Sequence, residues 1–100
     1  MDCYCDNNIQ MILGEKRMVG LSITAANQSA FPVTNATYQL VRGEEIEDSG
    51  NCTVTEVSQR EKRLDIYIEP EQATNYQLIF SYEIGDEKLK TVVYVYVTEA

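Results

Sequence analysis

Residues 63–98 read RLDIYIEPEQATNYQLIFSYEIGDEKLKTVVYVYVT, and this stretch decides the fold. Apolar side chains recur at every second position in Leu64, Ile66 and Ile68, and again in Tyr76, Leu78, Phe80, Tyr82 and Ile84, while 92–97 is all valine and tyrosine. A period of two places alternate side chains on opposite faces of an extended chain, so three strands are predicted here. Gly85-Asp86-Glu87-Lys88 supplies a hairpin turn between the last two. Proline suits the first position of a helical turn, so 69–73 is expected to form one helical or 3₁₀ turn crossing between sheets.

Working back toward the start, the alternation continues. Ile9, Met11 and Leu13 suggest a first edge strand, ended by Gly14-Glu15-Lys16. Over 18–26, Val19, Leu21, Ile23 and Ala25 share one face and Gly20, Ser22 and Thr24 the other, the pattern of a strand with one solvated side. Residues 27–35 form a crossing loop, because Pro32 lacks a donor and holds Phe31 extended. A third strand over 36–42 sets Ala36, Tyr38 and Leu40 together, and a short fourth covers 52–57. Between them GEEIEDSG, residues 43–50, reads as an acidic connection with Asp48-Ser49-Gly50 as its turn. The expectation is an all-β, seven-stranded sandwich of two antiparallel sheets, with 1–8 a flexible leader and 9–98 a single domain. A small barrel would use the same strands, and periodicity does not separate the two.

Composition narrows the function. Eight Lys and Arg against sixteen Asp and Glu give a net charge of −8, which repels phosphate backbones and anionic lipid, so neither nucleic acid nor membrane is an expected partner. No apolar run approaches the roughly 20 residues of a membrane-spanning helix. The start MDCYCDNNIQ has neither a basic n-region nor an apolar h-region, so synthesis in the cytoplasm is expected, and retention there unless the chain leaves within a larger particle or by cell lysis.

Tyr76 stands just after the 69–74 corner, and the segment 64–82 resembles the fifth and sixth strands of immunoglobulin-like and fibronectin-type sandwiches. In those folds a tyrosine at this place packs its ring inward and satisfies corner backbone with its hydroxyl. The resemblance implies a structural role for Tyr76. The antibody-type cysteine is absent, since Leu78 stands two residues on, and Tyr38 takes the place of the core tryptophan. More loosely, the order of the Gly-Glu turn, the LSIT strand, the proline crossover, NATYQL and the closing YQLIFSYEIGDE hairpin resembles small sandwich modules of tailed-phage baseplates, necks and head decorations. That resemblance implies a virion component that binds other virion proteins and self-associates.

If Val93, Val95 and Val97 face the core, then Val92, Tyr94 and Tyr96 face away, with Ile79 as their neighbour on the preceding strand. Ile79, Val92, Tyr94 and Tyr96 are the interface candidates, an apolar and aromatic patch suited to a homo-oligomer or a partner protein. Cover by the leader, or a bulge that reverses the parity, is the competing reading. No catalytic, cofactor or metal site is expected. Cys3, Cys5 and Cys52 with Asp2 or Asp6 match zinc spacing poorly, and the chain has no histidine. Glu44, Glu45, Glu47, Asp48 and Glu87 lack the alternating donor pattern of a calcium loop. Neither a nucleophile elbow nor a phosphate-binding glycine loop occurs, so the chain is read as non-enzymatic. A carbohydrate- or ligand-binding module, with Tyr38, Phe31 and the acidic 43–50 segment around a concave end, is the alternative.

Overall fold

A computed structural model describes residues 8–24, 32–58 and 61–100. Eight strands follow one another: β1 (Asn8–Ile12), β2 (Arg17–Thr24), β3 (Thr34–Arg42), β4 (Glu45–Asn51), β5 (Thr53–Glu56), β6 (Glu61–Ile68), β7 (Asn75–Ile84) and β8 (Glu87–Thr98). They form a five-stranded sheet, ordered β1-β8-β7-β3-β4, and a three-stranded sheet, ordered β2-β6-β5. Neighbouring strands β7 and β8 are in register from Asn75↔Tyr96 to Ile84↔Glu87, joined by a turn in which Gly85 has φ 60°. Gly43, at φ 62°, likewise turns β3 into β4. Both need the left-handed backbone that glycine adopts without a Cβ penalty.

The predicted alternation appears directly as burial. Leu64 and Leu78 are fully buried, Phe80 and Val95 likewise, and Val19, Leu40, Ile66, Ile68, Val93 and Val97 join them between the sheets. Each such side chain contributes about 1.5–3 kcal/mol by leaving water. Lys62 continues the inward-facing row of β6 at its beginning, and its ammonium, 2.7 Å from Glu56 Oε1, is the buried charge of the described residues.

Three expectations are corrected. The 43–50 segment is mostly strand: only Gly43 and Glu44 turn, and Asp48, Ser49 and Gly50 lie within β4, paired with Leu40, Gln39 and Tyr38. The count is therefore eight strands, with the expected fourth strand narrowed to β5. The five-stranded sheet is mixed, because β1 runs parallel to β8, from Asn8↔Tyr94 to Ile12↔Thr98. The first strand enters from the same end as the last, which two antiparallel sheets do not provide. Finally, 71–74 are bends, and no helix occurs among the described residues. The corner is held by side chains instead of by helical backbone bonds.

Candidate functional site

The corner after β6 is built around Tyr76. Its ring is 2% exposed, and its hydroxyl accepts the Gln72 N–H at 3.1 Å while donating to Glu47 Oε1 at 2.6 Å. Glu47 Oε2 accepts the Glu71 N–H at 3.1 Å. One β4 carboxylate thus binds both the phenol and the backbone of the bend, and the register shift between Leu40 and Val41 sets it beside its neighbours on β3. Bulges of this kind redirect a side chain that the regular ladder would point elsewhere. Burial, then the Glu47 carboxylate, holds the Tyr76 phenol above its usual range. One residue along, Asp48 Oδ2 accepts the Tyr38 hydroxyl at 3.1 Å, and burial followed by Asp48 raises that phenol too. Sequence reasoning expected a corner role for Tyr76 but missed Glu47, because a carboxylate in an acidic stretch carries no signal that it points at a phenol 29 residues away.

The remaining acidic residues are dispersed. Glu45 pairs with Arg42 at 3.4 Å, while Glu87 begins β8 at the opposite hairpin. Among the described residues no group of three or more metal-ligating side chains comes together. Cys3 and Cys5, with Asp2 and Asp6, lie outside the described residues. Cys52 donates its backbone N–H to Ala36 C=O at 2.9 Å as the chain passes from one sheet to the other. Its thiol is pushed up to about 11 by burial and then by the Asp65 carboxylate, so it is a poor nucleophile near neutrality.

The four interface candidates share the outer face of the five-stranded sheet. Ile79 is directly opposite Val92, Tyr94 is opposite Gln77, and Tyr96 is opposite Asn75. Ile79 and Val92 are half-buried; Tyr94 and Tyr96 are 41% and 38% exposed. Across the sheet the patch continues to Gln39, beside Ile79, and Val41, beside Gln77. On the other side it meets Asn8 and Gln10 of β1. None of these neighbours is charged, although 24% of the chain is. Charge returns toward the Gly85 turn, with Glu83 opposite Lys88 and Lys90 next in the row, and beyond Tyr96, where Glu15 and Arg17 line a depression with it and the Arg17 guanidinium donates to the Gln10 carbonyl at 2.8 Å.

At the sandwich's side, Tyr38, Met18, Thr53, Asp65 and Tyr67 line an open depression of ≈ 440 Å³. Tyr67 is 61% exposed and carries the Lys16 ammonium 5.7 Å from its ring centroid. Phe31, the other aromatic of the ligand-binding alternative, lies outside the described residues. No family model matches the chain, and neither a curated protein nor a solved structure matches it. An all-β, two-sheet domain of this kind is consistent in general terms with a structural or interaction module.

Proposed function

We propose that the chain is a non-enzymatic interaction module on an immunoglobulin-like sandwich, docking on protein through the outer face of its five-stranded sheet. The fold reading is supported by the orders β8-β7-β3-β4 and β2-β6-β5, which match those of sandwiches with an added strand beside the third, β1 departing from that pattern by lying beside β8, and by Tyr76, whose hydroxyl bonds the backbone four residues upstream. The observation that carries the function is the pair Tyr94 and Tyr96, exposed beside Ile79 and Val92 with uncharged cross-strand neighbours and with charge, from Glu15 and Arg17, at the rim beyond Tyr96. Aromatic side chains bury much area at small entropy cost, and depletion of charge marks the centre of an interface. The setting implied by the resemblance is a tailed-phage particle assembled in the cytoplasm, with other virion proteins as partners.

A photo-crosslinking residue at Tyr94 tests the face in the cell that makes the protein, with Tyr67 on the other sheet as the control position. A covalent adduct from position 94 and none from 67 is expected. Absence of any adduct from position 94 in a folded chain removes the face from consideration. A ligand-binding module is the second reading, favoured by the two tyrosines around the depression beside Asp65. Saturable quenching of tyrosine fluorescence by an oligosaccharide, lost in Tyr67→Ala, would move the function there.

A further inference from the structure

The edge strand β2 pairs with β6 on one side and ends its sheet on the other. In an antiparallel pair, successive residues direct N–H and C=O alternately to the two sides. The Glu61 carbonyl accepts the N–H groups of Val57 and Ser58, so Glu61, Arg63 and Asp65 address β5, and Leu64, Ile66 and Ile68 address β2. Their partners Leu21, Val19 and Arg17 therefore bond inward. Met18, Gly20, Ser22 and Thr24 direct their N–H and C=O groups out of the sheet, with no backbone partner among the described residues.

The other edges are short or charged. β1 has five residues and β5 four, while β4 carries Glu45, Glu47 and Asp48 and a register shift. Those are the usual devices that keep an edge from pairing. β2 has eight residues in unbroken register, and beyond Arg17 it contains no charge and no proline.

We propose that a second copy of this chain adds here, antiparallel, joining two three-stranded sheets into one sheet of order β5-β6-β2-β2-β6-β5. The strand is nearly its own complement about Leu21. Centring the pair on that residue sets Met18 opposite Thr24 and Gly20 opposite Ser22, so every outward-facing group of both strands finds a partner. Val19, Leu21 and Ile23, which share the core side, meet Ile23, Leu21 and Val19 of the other copy. Leu21 and Ile23 are only half-buried in the single chain and gain apolar neighbours. Between molecules of net charge −8, a stretch free of carboxylates is where two copies meet with least repulsion. The contact is isologous and closes at two copies.

Sedimentation together with residue-resolved amide exchange, on the full chain under reducing conditions, tests this across a dilution series. A two-chain mass is expected at high concentration, with the amides of Met18, Gly20, Ser22 and Thr24 exchanging roughly tenfold or more slowly than after dilution, and β4 edge amides unchanged. Ser22→Pro removes a donor that has no backbone partner among the described residues, so a folded one-chain species is expected at every concentration. Tyr94→Glu with Tyr96→Glu should leave the dimer intact, which separates this contact from the tyrosine face. A one-chain mass up to about 1 mM overturns the proposal, since pairing weaker than this supplies under about 4 kcal/mol. So does a dimer whose four amides exchange freely, a dimer that survives Ser22→Pro, or slow amides at one-chain mass, which would mean the chain covers its own edge. If Ser22→Pro does not fold, the wild-type exchange decides.

Discussion

Strands β4 and β2 both end a sheet, yet they are attached by different chemistry. Beyond its ladder to β3, β4 is fastened by polar side chains: Glu47 to Tyr76 and the Glu71 amide, and Asp48 to Tyr38. β2 is fastened by its ladder to β6 and by Val19 packing among Leu64, Ile66 and Ile68. A polar attachment leaves charge on the edge; an apolar one leaves β2 uncharged beyond Arg17. The contrast leaves carboxylates along one margin and, among the described residues, a row of unpartnered backbone groups along the other.

The most damaging test strikes the apolar side. Leu64→Ala, fully buried and opposite Leu21, should cost about 2–5 kcal/mol in urea unfolding, and native-state exchange should show β2 amides losing protection before those of β4. A loss spread evenly over both strands would erase the distinction. On the polar side, Tyr76→Phe removes the acceptor of the Gln72 amide and the donor to Glu47, for an expected loss of about 1–3 kcal/mol. Glu47→Ala attacks the same cluster, so the double variant should lose clearly less than the sum of the two. Simple additivity would show that the carboxylate and the phenol do not act together.

Alkaline pH sharpens the comparison further. Folded Cys52 keeps its proton to about 11, against an ordinary value of 9.0, so between these values the unfolded chain has released a proton that the folded chain retains. Unfolding is therefore favoured as pH rises through that window, and below 9 both states hold the proton and stability no longer depends on it. The raised phenols of Tyr38 and Tyr76 add losses of the same sign above 10.0, their ordinary value. Thermal unfolding from pH 8 to 11 should show a progressive fall, with Tyr76→Phe losing less over the upper part. The smallest effect is local: Asp65→Asn removes the second cause of the Cys52 shift, so the thiol should titrate lower and alkylate faster at pH 9 in the folded chain.

Most of the two-sheet architecture was readable where one face is wet and one is dry. Leu64, Ile66 and Ile68 alternate with Asp65 and Tyr67, and the structure buries the first set beside a more exposed second. The parity of β8, with Val93, Val95 and Val97 inward, could be read because β7 supplied the matching row. β4 was illegible for the opposite reason. An edge strand that buries little beyond Glu47 has no apolar period to display, and its glycine and carboxylates imitate a loop. The parallel pairing of β1 with β8 was hidden as well, since no local signal announces a partner some 86 residues distant, from Asn8 to Tyr94. At the corner the phenol was visible and its acceptor was not, because hydrogen-bond geometry depends on a bulge that composition does not encode.

The head-to-tail ladder of β1 and β8 has a mechanical consequence. The polypeptide enters β1 at Asn8, opposite Tyr94, and leaves β8 at Thr98, opposite Ile12. Tension applied through the two ends therefore runs lengthwise along this pair and loads its rungs together in shear, instead of peeling them apart one at a time. A domain strung between pulling neighbours would hold until this seam sheared, and the strands behind it would bear load only afterwards.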